Sequence, residues 1–540
     1  MRPGARDWVL PGLAGGLLAF SFPPWGPPLL VFFALVPLLV QIERCPDGST
    51  GRWRATVAGL VAGATCFGLQ LYWVLFALVR YSALAVPAYL GAVLVLAALV
   101  GVFGWATHLV RERFGLPLVA RTLVLWTGLE WIRGHVGDLS FPWLGLGAAL
   151  TPWPEIAGAA DIVGGRGLTA WIAATNALLA TATLRIGTAH RTATPVAVAL
   201  LVGVGPVTYG LWRASTLELR PAARVAVIQP DIPEEVKLDP ALALDSSLAA
   251  LTTLTERLES RSVDLVVWPE VAVPADLGAA PDLRSRVERL ASAAGAPILV
   301  GAYGVDGAGA DRRAHNSAFL VGASPGGGED RVSEGTGPRS DKRRLVPFVE
   351  RIPLGGARLR PGTSGSWFGD LSRGRAAPLF DIPSEAPAPA RFGVLICFES
   401  IFPELSRDYG RAGADFLVNI TNDAWFGGES ATQQTAALWQ HPAHLVLRAI
   451  ETRAGLARAA NTGISMVVDP LGRVHGRTPP SEPAVRVETV YGTAGSTPYV
   501  RWGDWAGTLC AIGAAILVIG ASASRGRRGD GSSREPAREP

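Results

Sequence analysis

From Trp8 to Trp212 the chain is a succession of apolar runs, most near the length a helix needs to cross a bilayer, broken by short polar or proline-rich joints. Seven spans are predicted there, near 8–22, 28–42, 55–78, 84–110, 116–134, 165–186 and 194–213, with an eighth from about Trp505 to Ser522. The first two are short and joined by SFPPWGPP, so they read as a tight hairpin. With 49% hydrophobic and 17% charged residues and a mean hydropathy of +0.28, the 540-residue chain is too apolar for a soluble enzyme of its size. It belongs in a membrane.

Charge placement orients it. Arg2 and Arg6, then Arg44, Arg52 and Arg54, then Arg111, Arg113 and Arg121, then Arg185 and Arg191 fall in alternate joints. The others hold only Arg80, Arg133 and Arg166. The excess of positive charge on the inner side then places the N-terminus in the cytoplasm and residue 214 outside. The last span returns the chain inward, where Arg525, Arg527 and Arg528 agree, and the closing residues 525–540 read as a disordered tail. A formal charge of +4 with no basic stripe gives no sign of nucleic acid. Cys45, Cys66, Cys397 and Cys510 form no CxxC pair, so neither a zinc site nor a disulfide framework is indicated. No cofactor or metal is expected.

Between about Pro221 and Val490 the pattern changes to short apolar strands alternating with amphipathic helices, a layered α/β domain. The resulting division is a helical membrane domain over 1–220, a catalytic domain over 221–492, a last span within 493–524, and the tail.

Three strand ends carry chemistry. Asp264 to Glu270 ends in Trp-Pro-Glu, where proline stops the ladder and presents Glu270. Lys342 opens KRRLVPFVERIP, with Glu350 eight residues on. Phe392 to Ile396 is a short apolar, β-rich run that places Cys397 at the end of a buried strand, followed by Phe398 and Glu399. Taken singly, each has a bland reading: a solvated carboxylate, a solvated basic face, a buried structural thiol. Together they supply a base, a cation and a nucleophile.

Glu270 in VVWPE, Lys342 in DKRRLVPF and Cys397 in LICFE resemble the Glu-Lys-Cys triad of the nitrilase superfamily. With the spans on either side, and with ADFLVNITNDAWFG (Ala414 to Gly427), Gln440-His441, LRAIETR (Leu447 to Arg453) and AANTGISMVVDPLGRV (Ala459 to Val474), the whole chain is similar to the apolipoprotein N-acyltransferase family. Four positions differ from that pattern: Phe398 stands where a Tyr usually follows the nucleophile, Val349 replaces a Gly, Ser340 a Tyr, and Leu238 an aromatic residue. A β-branched Val349 would resist a positive φ if the turn demanded one.

The resemblance implies a nitrilase-like αββα sandwich on a multi-span helical domain, held in a bacterial cell membrane with the catalytic domain outside and both termini inside. It implies acyl transfer in two steps. A phospholipid acylates Cys397, and the α-amino group of the diacylglyceryl-cysteine at a lipoprotein N-terminus takes the chain from the thioester. Lys342 would favour the thiolate and, with the Phe398 N–H, hold the oxyanion; Glu350 and Glu399 would support. Trp425 and Phe426, and Trp367 and Phe368 in a loop at the interface, are candidate substrate contacts. A monomer is expected. Two other readings stay open: a membrane-tethered amidase with water as acceptor, and a catalytically silent lipid-binding scaffold.

Overall fold

The computed structural model describes residues 6–79, 84–186, 189–239, 241–258, 262–322, 338–351, 371–383, 389–427 and 433–524. The apolar runs are helical, as lipid requires of backbone groups that have no water to bond: α1 (Arg6–Phe20), α2 (Val36–Glu43), α3 (Ser49–Gln70), α4 (Tyr72–Val79), α5 (Ala85–Phe114), α6 (Leu118–Arg133), α7 (Ala160–Leu184) and α8 (Ala189–Thr216). Among the described residues, Ala85–Phe114, Ile156–Leu184, Ala193–Thr216 and Trp505–Ala523 are long and apolar enough to cross a membrane. The expected span 55–78 is in fact two helices, α3 and α4, bent by 46° at Leu71, and together they add a fifth candidate. The expected hairpin at the N-terminus is present as the shorter apolar segments Trp8–Phe20 and Pro28–Glu43. Glycines let α3 and α5 pack closely: a Cβ on Gly63 would lie 2.7 Å from the Ala97 Cα.

The residues between α8 and the last helices hold strands β1 (Arg220–Gln229), β2 (Leu265–Val267), β3 (Val273–Asp276), β4 (Ile298–Asp306), β5 (Arg313–Val321), β6 (Arg339–Asp341), β7 (Phe380–Ile382), β8 (Ala390–Ile396), β9 (Phe416–Thr421), β10 (Gly455–Ala460), β11 (Met466–Val468), β12 (Val474–His475) and β13 (Ala484–Gly492). They form two mixed sheets, ordered β13-β1-β2-β4-β5-β6, with β3 beside β4, and β12-β11-β10-β9-β8-β7. In the first, β1, β2 and β4 are parallel, and in the second, β8, β9 and β10.

Period-2 alternation explains the layers. Val394 and Ile396 of β8 face Val225, Val227 and Val267 of the first sheet across one core. Ile228, Val266 and Trp268 turn the other way, onto α10 (Ala243–Glu256) and α11 (Pro281–Ala294), which follow the short α9 (Glu234–Leu238). Leu395, on the opposite face of β8, joins a third core shared with α12 (Pro403–Ala412), α13 (Ala437–Thr452) and the membrane helices. The short α14 (Pro498–Trp502) then leads into α15 (Trp505–Ala523). Helices, sheet, sheet and helices follow one another, and the second helical layer rests on the apolar N-terminal helices.

That junction is polar as well as apolar. Trp143, 1% exposed, donates Nε1–H to Gln440 Oε1 at 3.0 Å. Arg453 donates to Asp161 of α7 at 3.0 Å and to the Gly158 carbonyl at 2.8 Å. Glu130 and Trp143 therefore sit inside the protein: Glu130 accepts from Trp126 Nε1, the Leu146 N–H and Thr169 Oγ1.

Candidate active site

Each of the three chemical residues stands just past the C-terminal end of a strand, where side chains leave the sheet at a rigid edge. Glu270 follows β2, Lys342 follows β6, and Cys397 follows β8. Cys397 is the first residue of a short 3-10 helix, Cys397–Ile401, and has φ +52°. For a residue with a Cβ that conformation is disfavoured by roughly 1–2 kcal/mol. The bend turns the thiol out of the sheet.

Lys342 donates from Nζ to Glu270 Oε1 and to Glu350 Oε1, both at 2.9 Å. Asn316 Nδ2 bonds the same two oxygens, at 2.7 and 3.0 Å, and the Asn422 N–H donates to Glu270 Oε2 at 2.9 Å. Glu350 also accepts from the Val346 N–H. Glu270 and Lys342 are 5% and 1% exposed, whereas Cys397 keeps part of its surface open. Burial works against the Glu270 carboxylate, but the Lys342 ammonium and three hydrogen bonds outweigh it and hold its pKa below the usual carboxylate range. Burial likewise opposes the charge on Lys342, and Glu270 and Glu350 push its pKa well above that of a free lysine.

The thiol goes the other way. Burial and then the Glu270 carboxylate raise its pKa, against a weaker downward pull from Lys342. Lys342 favours the thiolate, as expected, but two carboxylates already claim that ammonium, and burial and Glu270 outweigh its pull on the sulfur.

The supporting residues divide. Glu350 is one of the two acids bonded to Lys342. Glu399 turns away from the thiol: Oε1 accepts from the Arg343 and Arg344 N–H groups at 2.6 and 3.1 Å, and Oε2 from the Ile396 N–H at 2.8 Å. It ties the segment after Lys342 to the strand before Cys397. The positive φ anticipated near Val349 falls instead on Phe348, at +65°, so Val349 is spared it. Phe398, 9% exposed, packs on Phe402 and lies near Phe141, and Ser340 is buried below Tyr409. Leu238 is 41% exposed.

Phe426 packs against Trp73, Trp143 and His441, inside the protein, and Trp425 is half-buried. Trp367 and Phe368 lie outside the described residues. Sequence reasoning missed Asn316, whose signal was no more than an Asn-Ser pair ahead of the apolar end of its strand, RAHNSAFLV. Among the described residues, Asp47, His108 and Glu112, and Asp306, His315 and Asp341, cluster as metal ligands do. Arg52, Arg111 and Arg339 already bond those carboxylates, and neither cluster includes Glu270, Lys342 or Cys397.

A thiol, a carboxylate and an ammonium just past the strand ends of two mixed sheets fit the carbon-nitrogen hydrolase class, and such groups suit acyl-enzyme chemistry. Residues 224–499 match the family model described as Carbon-nitrogen hydrolase, and residues 14–178 match the Apolipoprotein N-acyltransferase N-terminal domain. An apolipoprotein N-acyltransferase of Geobacter metallireducens is 35% identical over 530 residues, covering 95% of each chain. One of Chlorobaculum tepidum is 30% identical, covering 95% of this chain and 96% of its own. An amidase of the nitrilase superfamily from Nesterenkonia AN1 aligns with 53% of this chain and 95% of its own at 18% identity and a TM-score of 0.33. The chain belongs to the apolipoprotein N-acyltransferase family, and it is an acyltransferase.

Proposed function

We propose that Cys397 carries an acyl group from a membrane phospholipid to the α-amino group of a diacylglyceryl-cysteine at a lipoprotein N-terminus. The observation that supports this reading best is the hydrogen-bonded Glu270–Lys342–Glu350 cluster together with the partly open Cys397 thiol.

As Sγ attacks the ester carbonyl, Glu270 takes the thiol proton. The oxyanion forms against the third, unspent N–H of Lys342 and the Phe398 N–H, a first-turn donor with no intrahelical acceptor. Collapse breaks the acyl C–O bond, and Glu270 returns the proton to the departing lysophospholipid oxygen. The neutral amine then attacks the thioester. Glu270 accepts a proton from nitrogen and delivers it to sulfur, which regenerates the thiol and frees the N-acylated product.

Both substrates are anchored in lipid, which accounts for a catalytic domain resting on membrane helices. Eight crossings follow if α6 and the segments Trp8–Phe20 and Pro28–Glu43 join the five long or bent candidates. That count puts both termini in the cytoplasm of a bacterial cell and the domain of residues 221–492 outside, above 1–220 and before the last span within 493–524. The working unit is a monomer. Trp425 contacts the acyl chains.

The test is a reaction of full-length protein with phospholipid vesicles and a diacylated lipopeptide, read by mass spectrometry. The lipopeptide gains one acyl chain, and Cys397→Ala abolishes the gain. Hydrolysis of the phospholipid with an unchanged lipopeptide would point to an amidase-type enzyme, and no adduct on Cys397 to a silent scaffold; either overturns the proposal.

A further inference from the structure

The trans peptide between Cys397 and Phe398 has two ends that point in opposite directions: the Cys397 carbonyl and the Phe398 N–H. The N–H end faces the acyl transfer described above. The carbonyl end is held by a ring that the reaction itself does not use. His441 Nε2 lies 3.1 Å from the Cys397 carbonyl oxygen, which can only accept, so the ring carries a proton there. Nδ1 lies 3.0 Å from Asp423 Oδ1 and 3.3 Å from Arg458 Nη2. Arg458 in turn bonds Asp423 Oδ2 and, at 3.0 Å, the Ile464 carbonyl. His441 is 1% exposed, Asp423 and Arg458 are fully buried, and Trp143 stacks over the imidazole at 5.8 Å.

We propose that His441 is a positioning residue for the oxyanion site: by donating to the Cys397 carbonyl it fixes and polarises the peptide whose other end is the Phe398 N–H. A hydrogen bond to an amide oxygen strengthens the amide N–H as a donor, and the same bond resists rotation of a peptide whose first residue sits at φ +52°. Asp423 and Arg458 hold the ring, so its Nε2 stays aimed at the carbonyl. The Gln440-His441 pair in the sequence then has two tasks. Gln440 joins the catalytic domain to Trp143 and to Pro23 of the membrane domain, and His441 sets the nucleophile's peptide.

This rests on Cys397 as the acyl carrier. The test uses full-length protein in detergent and two reactions of the same sulfur: single-turnover acylation by a fluorescent phospholipid, which forms an oxyanion, and alkylation by iodoacetamide, which does not. His441→Ala is expected to slow acylation by about 10- to 100-fold, less than or equal to the loss of a whole oxyanion donor. KM and the alkylation rate should stay within about threefold. His441→Gln, whose amide can still reach the carbonyl, should recover most of the loss, whereas the shorter His441→Asn should not. Should the alanine variant fail to fold, the Gln and Asn pair decides.

Acylation within threefold of wild type in both Ala and Asn variants overturns the proposal. So does a parallel fall of alkylation and acylation in the Asn variant, because the residue would then only keep Cys397 in place. The underlying reading fails separately if wild-type protein with Cys397 already alkylated still takes up label.

Discussion

Glu350 Oε1 lies 2.9 Å from Lys342 Nζ, the same separation as Glu270 Oε1, so one ammonium is shared by two carboxylates. The arrangement sets how strongly the lysine draws on each acid. Lys342 lowers the basicity of Glu270, and Glu350 moderates that effect by competing for the same charge. Glu350→Gln should therefore leave Lys342 to Glu270 alone and make Glu270 a weaker base. We expect acylation to slow by about 10- to 100-fold, less than the roughly 100- to 10,000-fold that a whole general base contributes because Glu270 is weakened and not removed, with lipid KM changed less than threefold. Full acylation rates in this variant would show that Glu350 only braces the Val346 turn.

Glu270 and Cys397 make a prediction with opposite signs for two reactions. The carboxylate raises the pKa of the thiol, so Glu270→Gln removes an anion beside the sulfur and leaves Lys342 less compensated. More thiolate should then be present at pH 8. Alkylation of Cys397 by iodoacetamide is expected to accelerate severalfold while acyl transfer is lost. A slower alkylation would sink this account of the resting thiol.

How far these relationships could be read in the sequence depended on where they came from. Glu270 and Cys397 were legible because each follows an apolar strand, whereas Lys342 follows the polar strand Arg339–Asp341 and opened a basic run that only the resemblance singled out. The partition of Glu350 and Glu399 was not, since both are acids near the motif and only distances tell which meets Lys342. β10, Gly455–Ala460, was missed because GLARAA lacks β-branched and aromatic residues; its place between β9 and β11 is set by tertiary pairing. Asn316 and His441 act through partners far along the chain. The bend between α3 and α4 left no proline or glycine pair at Leu71 to announce it.

Stability against pH follows from the same cluster. Glu270 has a depressed pKa when folded, so its contribution is present above the unfolded carboxylate value of about 4.3 and is lost as pH falls through the lower, folded one. Lys342 has a raised one, so its contribution is complete below the unfolded value of about 10.4 and is lost only as pH rises through the folded one. Between pH 5 and pH 10 both are in force. Lys342→Met leaves two buried acids facing each other and is expected to cost roughly 3–5 kcal/mol at pH 7. Thermal unfolding of both proteins should show that gap hold from pH 6 to pH 9 and narrow below pH 4; a gap that widens with acid would contradict it.

Gly301 of β4 tests whether Glu270 needs its backbone position as much as its carboxylate. A Cβ at Gly301 would stand 2.8 Å from both the Glu270 Cα and the Val271 N, and these are backbone atoms that cannot swing aside as a flexible side chain would. Gly301→Ala must push the Trp-Pro-Glu turn outward, carrying Glu270 from Lys342 and Asn316 without changing any group that reacts. The turn has little slack, because Val271 already takes φ +46°, an uncommon conformation for a β-branched residue. Acyl transfer should fall at least 100-fold, since a misplacement of about 1 Å is worth that much, and unfolding should shift down by several degrees. Gly304→Ala on the same strand is the control, because there a Cβ meets the side chains of Ser317 and Arg339, which can give way. Activity should survive in that protein, and comparable losses in both would mean that strand packing, not the seat of Glu270, had been disturbed.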